Sequence, residues 1–122
     1  MPRVFVVQEL QKRDLATGEM ASIHDFSSAA EFGELETLVY GDVNGRYDEA
    51  LDVIREKLLD YTEDDYLLFA GDPALIAMAA AHAVLATGGP VSWLIWDRRQ
   101  RRYLPHPPLD FYPEEGDEDG NR

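Results

Sequence analysis

A chain of 122 residues, 45% hydrophobic and 29% charged, has the composition of one globular domain with a single core. It contains no cysteine, which rules out disulfides, thiolate metal sites and a cysteine nucleophile. Its formal charge of −13, from 24 acids against 11 bases, opposes direct binding to nucleic acid or to an anionic membrane.

Val4 to Val7 is β-branched and aromatic and reads as the first strand. This apolar start is too short for a signal peptide, and no run approaches the roughly 20 residues of a membrane span, so the expected location is the cytoplasm. Residues 9–25 are polar and read as irregular, with a turn at Thr17-Gly18. Ser28 and Glu31 have capping-box spacing, which predicts one helical turn to Phe32, ended by Gly33. Leu35 to Tyr40 is the second strand. Tyr47, Ala50, Leu51, Ile54, Leu58 and Tyr61 recur at helical spacing and predict a surface helix from Tyr47 to Tyr61 with one buried face.

Tyr66 to Ala70 reads as a strand buried on both faces. Gly71-Asp72-Pro73 starts a helix, because Asp72 can cap free N–H groups and Pro73 has none to lose. That helix reaches Thr87 and stops at Gly88-Gly89. Val91 to Trp96 is a further strand, Asp97 to Gln100 a turn, and Arg101 to Leu104 a short hairpin partner. Pro105, Pro107 and Pro108 are expected to end regular structure there. The last ten residues hold five acids and two glycines. They predict a disordered acidic tail over 113–122, after one domain over 1–112.

Strands separated by helices need right-handed crossovers. The predicted fold is therefore a small Rossmann-like α/β sheet, with a parallel central βαβαβ and an antiparallel C-terminal hairpin.

Several short pieces occur in a telling order: Val4-Phe5-Val6-Val7-Gln8-Glu9, Asp25-Phe26-Ser27-Ser28-Ala29-Ala30-Glu31-Phe32-Gly33, Asp64-Asp65-Tyr66-Leu67-Leu68, Gly71-Asp72-Pro73 and Trp96-Asp97-Arg98-Arg99-Gln100 followed by Arg102-Tyr103. Together they resemble a family of short proteins of tailed bacteriophages with no established activity. The resemblance implies a phage-encoded protein, which would place it in the bacterial host cytoplasm, and it carries over no activity and no catalytic or binding residue.

Three aspartates fall at strand ends, Asp42, Asp72 and Asp97, where open α/β sheets bind ligands. Converging carboxylates there could hold Mg²⁺ or serve a nucleotide. Each also suits a turn or a helix cap, and Gly71-Asp72-Pro73 is no phosphate loop. His24 and His106 read as loop residues and His82 as a buried, hydrogen-bonded one. No serine lies in a nucleophile elbow. No catalytic residue and no cofactor is therefore expected.

Arg98, Arg99, Arg101 and Arg102 concentrate positive charge near Trp93, Trp96 and Tyr103, and form a candidate interaction patch. Residues 73–87 carry seven alanines and no charge. Leu75, Met78, Ala79, His82 and Ala86 are expected to face the sheet. Ala77, Ala80, Ala81 and Val84 would then meet the 9–33 segment, a partner or a second copy in a homodimer. The leading expectation is a non-catalytic protein that binds a phage or host macromolecule. The alternatives are a nucleotide- or Mg-binding enzyme and an acidic DNA mimic.

Overall fold

The computed structural model describes residues 2–22 and 24–109; the expected acidic tail lies outside them. The first strand, β1 (Arg3–Glu9), sits inside a five-stranded sheet whose order fixes everything else. Side chains alternate across a strand. Phe5 and Val7 therefore enter one core, with Leu38, Ile54, Leu67 and Leu75. Val4 and Val6 enter another, with Phe26, Ala29, Leu68 and Leu94.

Two short strands follow, β2 (Gln11–Arg13) and β3 (Met20–Ser22). They pair antiparallel around the Thr17-Gly18 turn, so part of the stretch read as irregular is a hairpin. Residues Ser27–Phe32 form a 3-10 helix in place of a capped helical turn. The capping box does not form, and the Ser28 hydroxyl is buried without a partner among the described residues.

Beyond it lie β4 (Glu34–Tyr40), α1 (Tyr47–Lys57), β5 (Tyr66–Leu68), α2 (Pro73–Thr87), β6 (Val91–Asp97) and β7 (Arg102–Leu109). The sheet order is β4-β1-β5-β6-β7. Its first four strands are parallel, and β7 is antiparallel to β6. The predicted parallel set of β4, β5 and β6 is present, with β1 inserted between β4 and β5 as a fourth member.

The connections obey one handedness. A right-handed crossover must pass over opposite faces when it runs in opposite directions along the sheet. The path from β1 to β4 runs one way, and Phe26 and Ala29 within it pack on the Val4 and Val6 face. The paths from β4 to β5 and from β5 to β6 run the other way, and α1 and α2 pack on the Phe5 face. The 9–33 segment is therefore no cover for α2, because the sheet lies between them.

α1 buries Ala50 and Ile54 and carries Asp48 and Glu49 in its first turn, Arg55 and Lys57 in its last, the signs that suit the helix dipole. It ends four residues before Tyr61. The apolar periodicity outlasts the helix because the following turn, with the Tyr61 N–H donating to the Leu58 carbonyl at 3.1 Å, keeps both side chains buried. Lys57 donates to the Thr37 and Leu38 carbonyls of β4 at 2.9 and 3.1 Å.

α2 follows its sequence signals at both ends. Asp72 accepts from the Ala74 N–H, Pro73 opens the helix, and Gly88 closes it with φ 78°. Leu75, Ala79 and Ala83 are its buried residues, so the buried stripe runs through Ala83 rather than Ala86. Those three lie at i, i+4 and i+8 along one face.

The prolines do not stop β7, which runs through all three to Leu109. The Leu94 carbonyl accepts from Phe69 N, so Leu94 turns its polar groups toward β5. Its antiparallel partner Pro105 thus occupies a pair where no N–H is needed. An outer strand tolerates what an inner strand cannot.

At the opposite end of the sheet, Asp65 is 2% exposed and gathers four donors. Its carboxylate accepts from the Arg3 N–H and guanidinium at 2.9 and 3.0 Å, and from the Thr62 N–H and hydroxyl at 2.9 and 3.2 Å. This pins the start of β1 to the entry of β5. No helix among the described residues is long and apolar enough to cross a membrane.

Candidate functional site

Neighbouring strands β1 and β5 send their onward connections to opposite faces. In an open α/β sheet that reversal opens a crevice beyond the carboxyl ends of the two strands. A cavity of about 530 Å³ lies there, within the usual range of roughly 300–1,000 Å³ for ligand pockets. Gln8 and Leu10 reach it from the end of β1, Phe69, Ala70 and Gly71 from the end of β5, and Ile95 and Trp96 from β6. Tyr103 comes from the start of β7, and His24, Asp25 and Phe26 close the side next to the 3-10 helix.

Five of the eleven lining residues carry rings, His24, Phe26, Phe69, Trp96 and Tyr103. Trp96 meets the Tyr103 ring edge-on at 5.0 Å and is 43% exposed, and Tyr103 packs on Phe26 at 5.9 Å. The His24 ring lies 6.2 Å from Phe26 at the rim. Burial, with the Asp25 charge nearby, pushes the Tyr103 phenol up to about 12. Asp25 is held below the usual carboxylate range by the Ser27 N–H, which donates to it at 2.9 Å.

Gln8 fixes the floor. It is 4% exposed, donates its amide to the Gly41 carbonyl at 2.8 Å and accepts from the Asp72 N–H at 2.7 Å. One side chain thus ties the end of β1 to the loops after β4 and β5. Its bond to Asp72 also consumes an N–H at the start of α2. Ala74 N donates to the Asp72 carboxylate and Leu75 N to the Asp72 carbonyl. With Pro73 lacking an N–H, the donors that a phosphate would seek at this helix end are already engaged.

The three strand-end aspartates each serve their own loop. Asp42 accepts from Asn44 N at 3.0 Å, and Asp97 accepts from Arg99 N and Gln100 N at 2.8 and 3.0 Å. Asp72 also accepts from the Tyr47 hydroxyl at 2.5 Å. That bond and the Ala74 N–H hold its carboxyl below the ordinary value. Among the described residues no three His, Cys, Asp or Glu side chains are grouped to hold a metal.

Asp72→Ala should therefore lower the melting temperature by about 2–8 °C. The depressed carboxyl contributes stability above about pH 4, and that contribution fades as the pH falls through its folded value. Wild type and variant should converge in acid. Thermal melts at pH 7 and pH 3 check this, and an equal gap at both would contradict it.

Arg98, Arg99 and Arg101 are exposed in the turn after β6, and exposed Arg102 opens β7, so along the chain they adjoin the cavity's Trp96 and Tyr103 without lining it. Arg101 has a left-handed φ of 57°, and its N–H closes the turn on the Asp97 carbonyl at 2.7 Å. Trp93, expected beside them, is elsewhere. It lies on the α2 face between Phe69 and His106, stacked at 4.9 and 4.6 Å. His106 is thus a strand residue, and His82 is half-buried rather than buried. On α2, Ala77 and Ala81 are exposed, whereas Ala80 and Val84 are half-buried against the core shared with α1.

The hydroxyls bonded to carboxylates among the described residues are those of Thr37 on Glu9, Tyr47 on Asp72 and Thr62 on Asp65. The first two join separate elements, the third closes a turn, and none includes a histidine. Sequence reasoning missed the aromatic cavity, because its lining comes from five separate stretches. The available signal was that four of those stretches sit at strand ends.

A sequence model of phage Pam3 gp32-like proteins matches residues 2–108. A search of the curated proteins finds no match, and a search of the solved structures finds none either. The match spans nearly the whole described fold, from β1 into β7 and including every strand that lines the cavity, and the chain accordingly belongs to the phage Pam3 gp32-like protein family.

Proposed function

We propose that the protein is a non-catalytic phage accessory protein, acting in the cytoplasm of the infected bacterium by binding a phage or host macromolecule in the aromatic cleft. The observation that carries this reading is the cleft itself. It is large enough for a side-chain anchor, it lies at the sheet's ligand-binding position, and its wall presents the exposed Trp96 ring, backed by the buried Tyr103 and Phe26. Aromatic groups of this kind dominate recognition surfaces because they bury much area at little entropic cost.

The nucleotide reading draws less support, since the helix end nearest the cleft has already engaged its donors. The formal charge of −13 likewise opposes a polynucleotide occupant.

Trp96→Ala tests the reading with little risk to the fold, because the ring is 43% exposed. Tagged wild type and variant are each recovered from infected cells, and bound proteins are quantified by mass spectrometry. A partner enriched by wild type should fall at least about tenfold with the variant, the loss of roughly 1.4 kcal/mol expected for one aromatic anchor. Identical partner sets would exclude the cleft as the binding site.

A further inference from the structure

We propose that the cleft receives the Phe111-Tyr112 segment of a second copy of the chain, with the acids that follow it lying along the arginine turn. The inference rests on the reading of the cleft as a recognition site and names its occupant. The cleft is an aromatic hollow, and the connection that joins its Trp96 to its Tyr103 carries exposed Arg98, Arg99, Arg101 and Arg102. Those arginines make no ion pair among the described residues, in a protein with an excess of acids. The C-terminal sequence offers the complement to both, Phe111-Tyr112 and then Glu114, Glu115, Asp117, Glu118 and Asp119.

A chain cannot place its own aromatic pair in its own cleft. β7 runs away from the cleft, and Leu109 pairs with Val91 at the far end of β6. From Val91 back to Trp96 is roughly 17 Å of strand. Tyr112, three residues past Leu109, reaches at most about 11 Å. The aromatic pair must therefore enter a neighbour. The described chain ends at Leu109, beside Val91 and away from the cleft, so the contact is head-to-tail and can repeat. One or two aromatic anchors make a small interface, so the association is weak and salt-sensitive.

Sedimentation of the full chain tests this through complementation. The native protein should show a mass that rises with concentration, and less so in high salt. Trp96→Ala, with a damaged cleft, and the double variant Phe111→Ala/Tyr112→Ala, with a damaged tail, should each sediment as monomers with native circular dichroism. Mixed together they should associate again, and only as one-to-one pairs, because one intact cleft meets one intact tail. A labelled peptide of residues 109–122 should bind the double variant and bind Trp96→Ala at least about tenfold more weakly.

A native protein that stays monomeric and a peptide that does not bind would overturn the inference. So would a double variant that associates like the native chain, or a mixture that stays monomeric. If the double variant keeps the cellular partner that Trp96→Ala loses, while neither associates with the other, the cleft stands as a binding site and the tail is not its occupant.

Discussion

Asp65→Asn should lower the melting temperature by about 12 °C, a loss of roughly 3 kcal/mol for a domain of this size. The carboxylate is buried and holds four donors from Arg3 and Thr62. The amide that replaces it has the same shape but no charge, and it turns an N–H₂ toward some of those donors. Removing one member of a buried ion pair typically costs about 3–5 kcal/mol. The lower end applies because the Arg3 side chain is 25% exposed and keeps Asp60 at 3.2 Å.

The pH dependence has a definite sign. Burial alone would raise the Asp65 pKa, but the Arg3 and Thr62 donors together outweigh it and hold the carboxyl below its ordinary value. Its contribution is thus present above about pH 4 and is lost as the pH falls through the folded value. The gap between wild type and Asp65→Asn should be widest near neutrality and narrow below pH 4. A gap that does not change with pH would mean that packing, rather than charge, sets the cost.

The second large effect is expected at Gly71. Its φ of 104° is a conformation that side chains rarely adopt, and a Cβ there would run into the Cβ and amide oxygen of Gln8. Gln8 cannot move aside freely, since both ends of its amide are bonded, to Gly41 and Asp72. Gly71→Ala should cost about 3 kcal/mol or more from strain and overlap together. It should also loosen the loops that frame the cleft. Denaturant melts measure the first consequence. The second appears as increased hydrogen exchange at the Asp72 N–H, and unchanged protection there would refute it.

The two α-helices and the four parallel strands were legible because their signals are local. Asp72-Pro73 and Gly88 mark the two ends of α2, and the alternation in β1 follows from the pleat. What the sequence did not disclose depends on strand order. Only once β1 is known to lie between β4 and β5 does the 10–33 connection have to cross the face opposite α1 and α2. The same fact creates the crevice, so the cleft was hidden for the same reason. Pro105 shows the converse limit. A rule about proline in sheets gave the wrong end for β7, because the rule depends on which strand is outermost.

The two margins of the sheet also decide which assemblies are open to the protein. A strand joining a sheet from outside needs a row of free N–H and C=O groups. In β7, three residues are prolines with no N–H to offer. In β4, the Thr37 and Leu38 carbonyls already hold Lys57. Backbone templating is therefore hindered along β7 and interrupted at one point of β4, whether the newcomer is a peptide from another protein or an unfolded neighbour. That favours contacts through side chains, which can be selective and reversible where an added strand would be neither.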